Sequence, residues 1–280
     1  MRFQFTRDPG EFATHVEAFL AARLERNVIA TVLLNATGGR YRGSGEFYVY
    51  GVDDAGDVAY AGLRTPPWPM LTSELDPTLG LELMRRWLSD DPDVDGVNGV
   101  PSTARAIASA WSELTGGTTR LRMSEAMHVL ESVVDPPRPA SGRLRVATAA
   151  DRQLMIAWLV AFEEEAGVGR DPSRRAAAID AALASGALLV WEDGAPVCMV
   201  GVSPRVAGAV RVGPVYTPPE QRARGYASSA VAAASRRALG QGADQCMLFT
   251  DLANPTSNKI YADVGYRRFG EWEEHLFERA

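Results

Sequence analysis

Cysteine is nearly absent from this chain. Its two copies, Cys198 and Cys246, sit in apolar runs and offer no disulfide framework, so buried thiols in a reducing cytoplasm are expected. Histidine is almost as scarce. His15, His128 and His275 stand apart, without the spacing that brings two ligands to one ion, and no metal site is expected. D-P-D-V-D-G (Asp91–Gly96) begins like a calcium loop, but Pro92 stands second and Ser102 replaces the bidentate glutamate at the twelfth position, so it reads as a solvated acidic turn. Positive charge is not in excess either. The formal net charge of -6 argues against nucleic acid, whose binders carry a basic face. The opening M-R-F-Q-F-T-R-D lacks the apolar stretch of a signal peptide, and no run approaches membrane-spanning length. No membrane association is expected.

What is present suits a globular protein of one large or two ordinary domains, with 280 residues, 46% of them hydrophobic and 23% charged. V-D-P-P-R-P-A-S-G (Val134–Gly142) holds three prolines, which neither a helix nor a central strand sustains. We read residues 135–143 as a linker between domains at 1–134 and 144–280. Each half repeats one order of elements: a strand, two helical segments, a strand meander, then helix, strand, helix and strand. D-D-A-G in the first half and E-D-G-A in the second mark corresponding hairpins. The expected class is α/β, two tandem domains each with a mixed central sheet flanked by helices.

The most informative stretch is Val210–Tyr266. V-R-V-G-P-V-Y reads as a strand stopped by Pro218 and Pro219, and the Ala-rich run from Tyr226 to Leu239 reads as a helix. Between them lies T-P-P-E-Q-R-A-R-G-Y-A (Thr217–Ala227). This turn feeds a helix N-terminus, whose first N–H groups lack internal partners. Gly225 removes bulk where a ligand would approach the backbone, and Arg222 and Arg224 add positive charge, so the turn suits a pyrophosphate. It is neither the G-x-x-x-x-G-K-[ST] nor the G-x-G-x-x-G phosphate loop.

The turn resembles the acyl-CoA loop of the GNAT (GCN5-related) N-acetyltransferases, Q/R-x-x-G-x-G/A, with Arg222, Gly225 and Ala227 at the specified positions. D-L-A-N-P-T-S-N-K-I-Y-A-D-V-G-Y (Asp251–Tyr266) stands where that family places its next motif. The resemblance implies a domain that transfers acetyl from acetyl-CoA to a primary amine in a ternary complex. It implies that Val215, Tyr216, Thr217, Arg222, Ala223, Arg224, Gly225, Tyr226, Ala227 and Ser228 surround the coenzyme. Asn254, Ser257 and Asn258 would contact its arm or phosphates, and Tyr261 would reach the thioester sulfur.

Asn254, Asn258 and Tyr261 fall at i, i+4 and i+7, one helix face. Asn254 also precedes Pro255 as a helix cap, a role that competes for its side chain. Among Glu163, Glu164 and Glu165, Glu164 is taken as a candidate base. In the first half the corresponding loop reads T-S-E-L-D-P-T-L-G, where Glu74 and Asp76 would repel a phosphate. That half is read as a GNAT-like domain without a coenzyme site. An acyl-CoA sensor or a structural partner is the alternative to an enzyme, and a monomer or homodimer is expected.

Overall fold

The structure is a computed structural model describing residues 1–169 and 171–279. The chain forms two compact units, Met1–Ala126 with Gly270–Ala280, and Met127–Phe269. A boundary at the proline-rich segment, with the whole C-terminus in the second domain, is the expectation from sequence. Instead, the last strand supplies its end from Gly270 onward to the first unit, and the proline-rich segment lies within the second. Nothing local in G-E-W-E-E-H-L-F names the strand it pairs with, so this exchange is set by tertiary contacts.

The first unit contains β1 (Arg2–Thr6), α1 (Pro9–Ala21), α2 (Asn27–Thr37), β2 (Phe47–Val52), β3 (Val58–Arg64), β4 (Met70–Thr72), α3 (Gly80–Asp90), β5 (Gly96–Gly99), α4 (Pro101–Thr115) and most of β6 (Thr118–Leu130). Asp8 starts α1 by accepting the N–H groups of Gly10 and Glu11, and Pro9 fits the first helical position.

The second unit contains β7 (Arg143–Val146), α5 (Arg152–Ala166), α6 (Arg175–Ser185), β8 (Leu188–Asp193), β9 (Ala195–Val202), β10 (Ala209–Tyr216), α7 (Tyr226–Gly240), β11 (Gln245–Asp251) and α8 (Pro255–Val264). The final strand, β12 (Arg267–Glu278), begins in it. In the first unit the strands run β1-β2-β3-β4-β5-β12, with Glu273 opposite Gly99 in an antiparallel pair. Glu273 also binds Arg105 and lies 2.9 Å from the His275 ring nitrogen Nε2. In the second unit the order is β11-β10-β9-β8-β7.

Alternation along β8 and β9 sorts their side chains to two faces. Leu189, Trp191, Cys198 and Val200 pack with the alanines of α7, while Leu188, Val190 and Met199 pack with Met155 and Trp158 of α5 and Ile179 of α6. Small residues let α7 lie close to the sheet, as Ala230, Val231 and Ala234 are fully buried. Both cysteines are buried free thiols. Burial pushes Cys198 up to about 12 and Cys246 up to about 11, so neither is a thiolate nucleophile near neutral pH.

A 3₁₀ turn, Ala149–Asp151, leads into α5; Thr148 caps that turn, and Asp151 closes a capping box by accepting the Thr148 N–H at 2.7 Å. Arg145 of β7 donates to both Asp151 oxygens at 2.7 and 2.8 Å. Chiefly through that guanidinium, the Asp151 carboxyl is lowered from 3.8 to about 2. A depressed carboxylate stabilises the fold above its unfolded value and loses that contribution as pH falls through its folded one. Each tenfold change in proton affinity between the folded and unfolded chain is worth about 1.4 kcal/mol, so Asp151→Asn is expected to cost about 2 kcal/mol at pH 7. Denaturant unfolding should show the gap closing between about pH 4 and about pH 2. A constant gap across that range would show that the carboxylate's charge is not what matters.

Candidate active site

Strands β10 and β11 pair in parallel only over Ala209–Arg211 and Gln245–Met247. Beyond Arg211, β10 shifts register on β9 between Val212 and Val215, then pairs Val215 with Val200 and Tyr216 with Met199. The far ends of β10 and β11 thus make no ladder with each other. A cavity of about 1060 Å³ lies there, lined by Val215, Tyr216 and Thr217 at the end of β10 and by residues of the following loop and of α8. It lies at the upper end of the usual range for ligand pockets, about 300–1,000 Å³.

The loop is built for a sharp approach to α7. Pro219–Gln221 form a single 3₁₀ turn, and Ala223 and Gly225 both take positive φ, 62° and 80°. Arg222, Ala223 and Gly225 line the cavity, as do Tyr226, Ala227 and Ser228 in the first turn of α7. Gly225 is the N-cap and brings no side chain to cap the helix. The helix's leading amides and its positive dipole end therefore face the cavity without a side-chain acceptor.

The space beside Gly225 holds protein rather than ligand. A Cβ there would lie 2.7 Å from the Arg138 carbonyl oxygen. The proline-rich segment, read from sequence as a linker between domains, is strapped over the start of α7. Ala140 donates its N–H to Ser229 Oγ at 2.8 Å, and Trp191 Nε1 donates to the Ser141 carbonyl at 2.8 Å. Ser141 and Tyr226 both donate hydroxyl protons to Asp193, and Arg236 pairs with Asp135. Pro136, Pro137 and Arg138 thereby become a wall of the cavity. Three prolines hide this in the sequence, because they announce only that the segment is neither helix nor ladder.

The positive charge expected from the two loop arginines is reduced. Arg222 donates to both Glu165 oxygens at 2.9 and 2.7 Å and to the Thr217 carbonyl at 2.9 Å. Tyr216 donates to the same glutamate at 3.2 Å. Nearly half exposed on each side, this ion pair is worth only about 0–1 kcal/mol, so it offsets charge more than it locks the loop. Arg224 is exposed, lies outside the cavity lining and neighbours Asp193 and Tyr226.

On α8, Asn254, Ser257 and Tyr261 line the cavity, but Asn258 does not. Asn258 accepts from Thr250 Oγ1 and donates to the Asp251 carbonyl at 3.3 Å, tying α8 to β11. Asn254 accepts the Ser257 N–H at 3.1 Å as the helix cap. The Tyr261 hydroxyl has no hydrogen-bond partner among the described residues. Its ring packs edge-on against Tyr266 with centroids 5.9 Å apart. Burial, and secondly the Cys198 thiol, push its pKa well above the ordinary phenol value. Glu164 is exposed and outside the cavity lining, whereas Glu165 lines it. Sequence reasoning misses Glu165 because the three adjacent glutamates carry no sign of which one the helix turns inward.

The corresponding place in the first unit differs. Asp76 caps the turn before α3 by accepting the Thr78 N–H at 3.0 Å. Glu74 accepts from Arg26 at 3.2 Å. A carboxylate of the chain itself thus satisfies a donor where the second unit leaves its helix start open. Among the described residues no group of three or more histidine, cysteine or acidic side chains is placed to hold a metal ion. No helix among them is long and apolar enough to cross a membrane.

Residues 153–266 match the model of the acetyltransferase (GNAT) family. None of the curated proteins compared with the chain matches it. Several solved structures share its fold. A GNAT-family acetyltransferase from Colwellia psychrerythraea is 10% identical, with 100% of each chain covered and a TM-score of 0.63. A GCN5-related N-acetyltransferase from Sphaerobacter thermophilus is 16% identical, covering 99% of this chain and 95% of its own, with a TM-score of 0.64. A tandem GNAT protein from the clavulanic acid biosynthesis pathway is 11% identical, covering 99% and 98%, with a TM-score of 0.58. At these identities the likeness is one of fold. The chain has the fold of a tandem GNAT protein, and its residues 153–266 are similar to the acetyltransferase (GNAT) family.

Proposed function

We propose that the second unit transfers the acetyl group of acetyl-CoA to a primary amine by direct attack in a ternary complex, and that the first unit holds no coenzyme. The observation that carries this reading is the convergence on one cavity of the open start of α7, the end of β10 that no longer pairs with β11 and the unpartnered Tyr261 hydroxyl. The amides of Tyr226, Ala227 and Ser228 would hold the diphosphate. Backbone N–H groups near Val215 and Tyr216 would polarise the thioester carbonyl and stabilise the oxyanion that forms as nitrogen attacks. The C–N bond forms, the C–S bond breaks, and the thiolate leaves beside Tyr261.

An alkylamine of pKa about 10.4 must lose a proton before it attacks at neutral pH. A base has to lie within hydrogen-bond reach of that proton. Glu165 lines the cavity and fits this requirement better than Glu164. Beyond this proton, catalysis is largely positioning and exclusion of water.

The test is an acceptor screen: the full chain, acetyl-CoA and a panel of small amines, aminoglycosides, polyamines and peptides, read by mass spectrometry. An acetylated amine formed only with protein present is the expected result. Saturable acetyl-CoA binding without any product would favour a sensor, and no binding at all would favour a structural partner.

A further inference from the structure

Three cations line the cavity, Arg138, Arg222 and Lys259, together with two carboxylates, Glu165 and Asp263. Two of the cations are spoken for. Arg222 is paired with Glu165 at 2.7 Å and Lys259 with Asp263 at 2.7 Å. Arg138 alone has no ion pair or side-chain hydrogen bond among the described residues, and it is exposed at the cavity wall. Its backbone is held against the first residue of the α7 approach, because its carbonyl occupies the space beside Gly225. The Ala140 N–H bond to buried Ser229 fixes the segment two residues on.

We infer that Arg138 is a phosphate-binding residue of the coenzyme site, contributed by the proline-rich strap rather than by the family's loop. The inference rests on the acetyl-CoA reading above. An arginine without a carboxylate partner keeps its full charge and fork of donors for a phosphate, the geometry in which guanidinium binds best. The neighbouring prolines restrict the backbone, so less entropy is lost when the side chain engages. The strap therefore does more than connect: it completes the wall that Arg222, neutralised by Glu165, leaves short of charge. Two phosphate sources are chemically equivalent here, the diphosphate and the 3′-phosphomonoester, and the experiment separates them.

The full-length protein and Arg138→Ala are titrated calorimetrically with acetyl-CoA, with acetyl-3′-dephospho-CoA and with S-acetylpantetheine, which carries no diphosphate. Arg138 is exposed and has no ion pair or side-chain hydrogen bond among the described residues, so the variant should fold as the parent does. The expected result is an affinity for acetyl-CoA lower by about tenfold, as for one charge-assisted contact at a partly exposed site. Binding of S-acetylpantetheine should be the same in both proteins. If the loss disappears with acetyl-3′-dephospho-CoA, Arg138 holds the 3′-phosphate; if it persists, Arg138 holds the diphosphate. Unchanged acetyl-CoA affinity in Arg138→Ala would overturn the inference while leaving the acetyl-CoA reading in place, and so would an equal loss on S-acetylpantetheine. A parent protein that fails to bind acetyl-CoA would overturn the reading itself.

Discussion

Ala227→Glu is expected to lower acetyl-CoA affinity at least about a hundredfold without unfolding the protein. Ala227 is the second residue of α7 and lines the cavity, where it is partly exposed. A glutamate there is favourable to the helix itself, since an acidic side chain in the first turn complements the dipole. The same carboxylate would fill the space beside the leading amides and repel a diphosphate. Losing their charge-assisted bonds and adding a like charge costs at least about 3 kcal/mol, or about a hundredfold. Gly225 would be a poorer probe. Any side chain there meets the Arg138 carbonyl and must take φ of 80°, so lost binding in such a variant would not distinguish a damaged loop from a displaced strap. Calorimetry on folded Ala227→Glu with near-parental affinity would remove α7 from the coenzyme site.

Tyr261→Phe is expected to leave acetyl-CoA affinity unchanged and to lower kcat about 10–150-fold. An unperturbed phenol is already a weaker acid than a thiol by about 1.5 pH units, or about 2 kcal/mol. Burial beside Cys198 raises the Tyr261 pKa further, so outright protonation of the departing thiolate is more uphill still. In the proposed mechanism the hydroxyl would instead donate a hydrogen bond to developing charge, worth about 1.5–3 kcal/mol. Phenylalanine keeps the edge-on packing with Tyr266 and removes only the donor. Because the phenol stays protonated well beyond its ordinary value, kcat should show no fall attributable to Tyr261 ionisation below about pH 10. A kcat within twofold of the parent, with chemistry shown to limit the rate, would exclude Tyr261 from the mechanism.

Local signals carry most of the elements. Asp8-Pro9, Asn254-Pro255, Gly167 and Gly186 mark helix ends through their own backbone preferences, and the structure ends or begins helices at each. The strand, turn and helix from Val210 to Leu239 are legible for the same reason. What the sequence conceals is long-range. Arg222 meets Glu165 across 57 positions and Ala140 meets Ser229 across 89. Neither pairing follows from spacing.

Asn258 shows the limit of a helix face. Asn254, the cap outside α8, lines the cavity with Tyr261, whereas Thr250 on the adjoining strand claims the Asn258 side chain. The C-terminal strand is a similar case. Its alternation announces a strand, but its place beside β5 depends on a partner about 170 residues earlier.

The most direct test of transferase activity is thiol released from acetyl-CoA over time, with the best amine from the screen, by the parent protein, Ala227→Glu and Tyr261→Phe. The account predicts amine-dependent thiol release by the parent, matched mole for mole by acetylated amine. It predicts release at background for Ala227→Glu under subsaturating acetyl-CoA, and a reduced but measurable rate for Tyr261→Phe. Tight acetyl-CoA binding with no amine-dependent thiol release by the parent would contradict it.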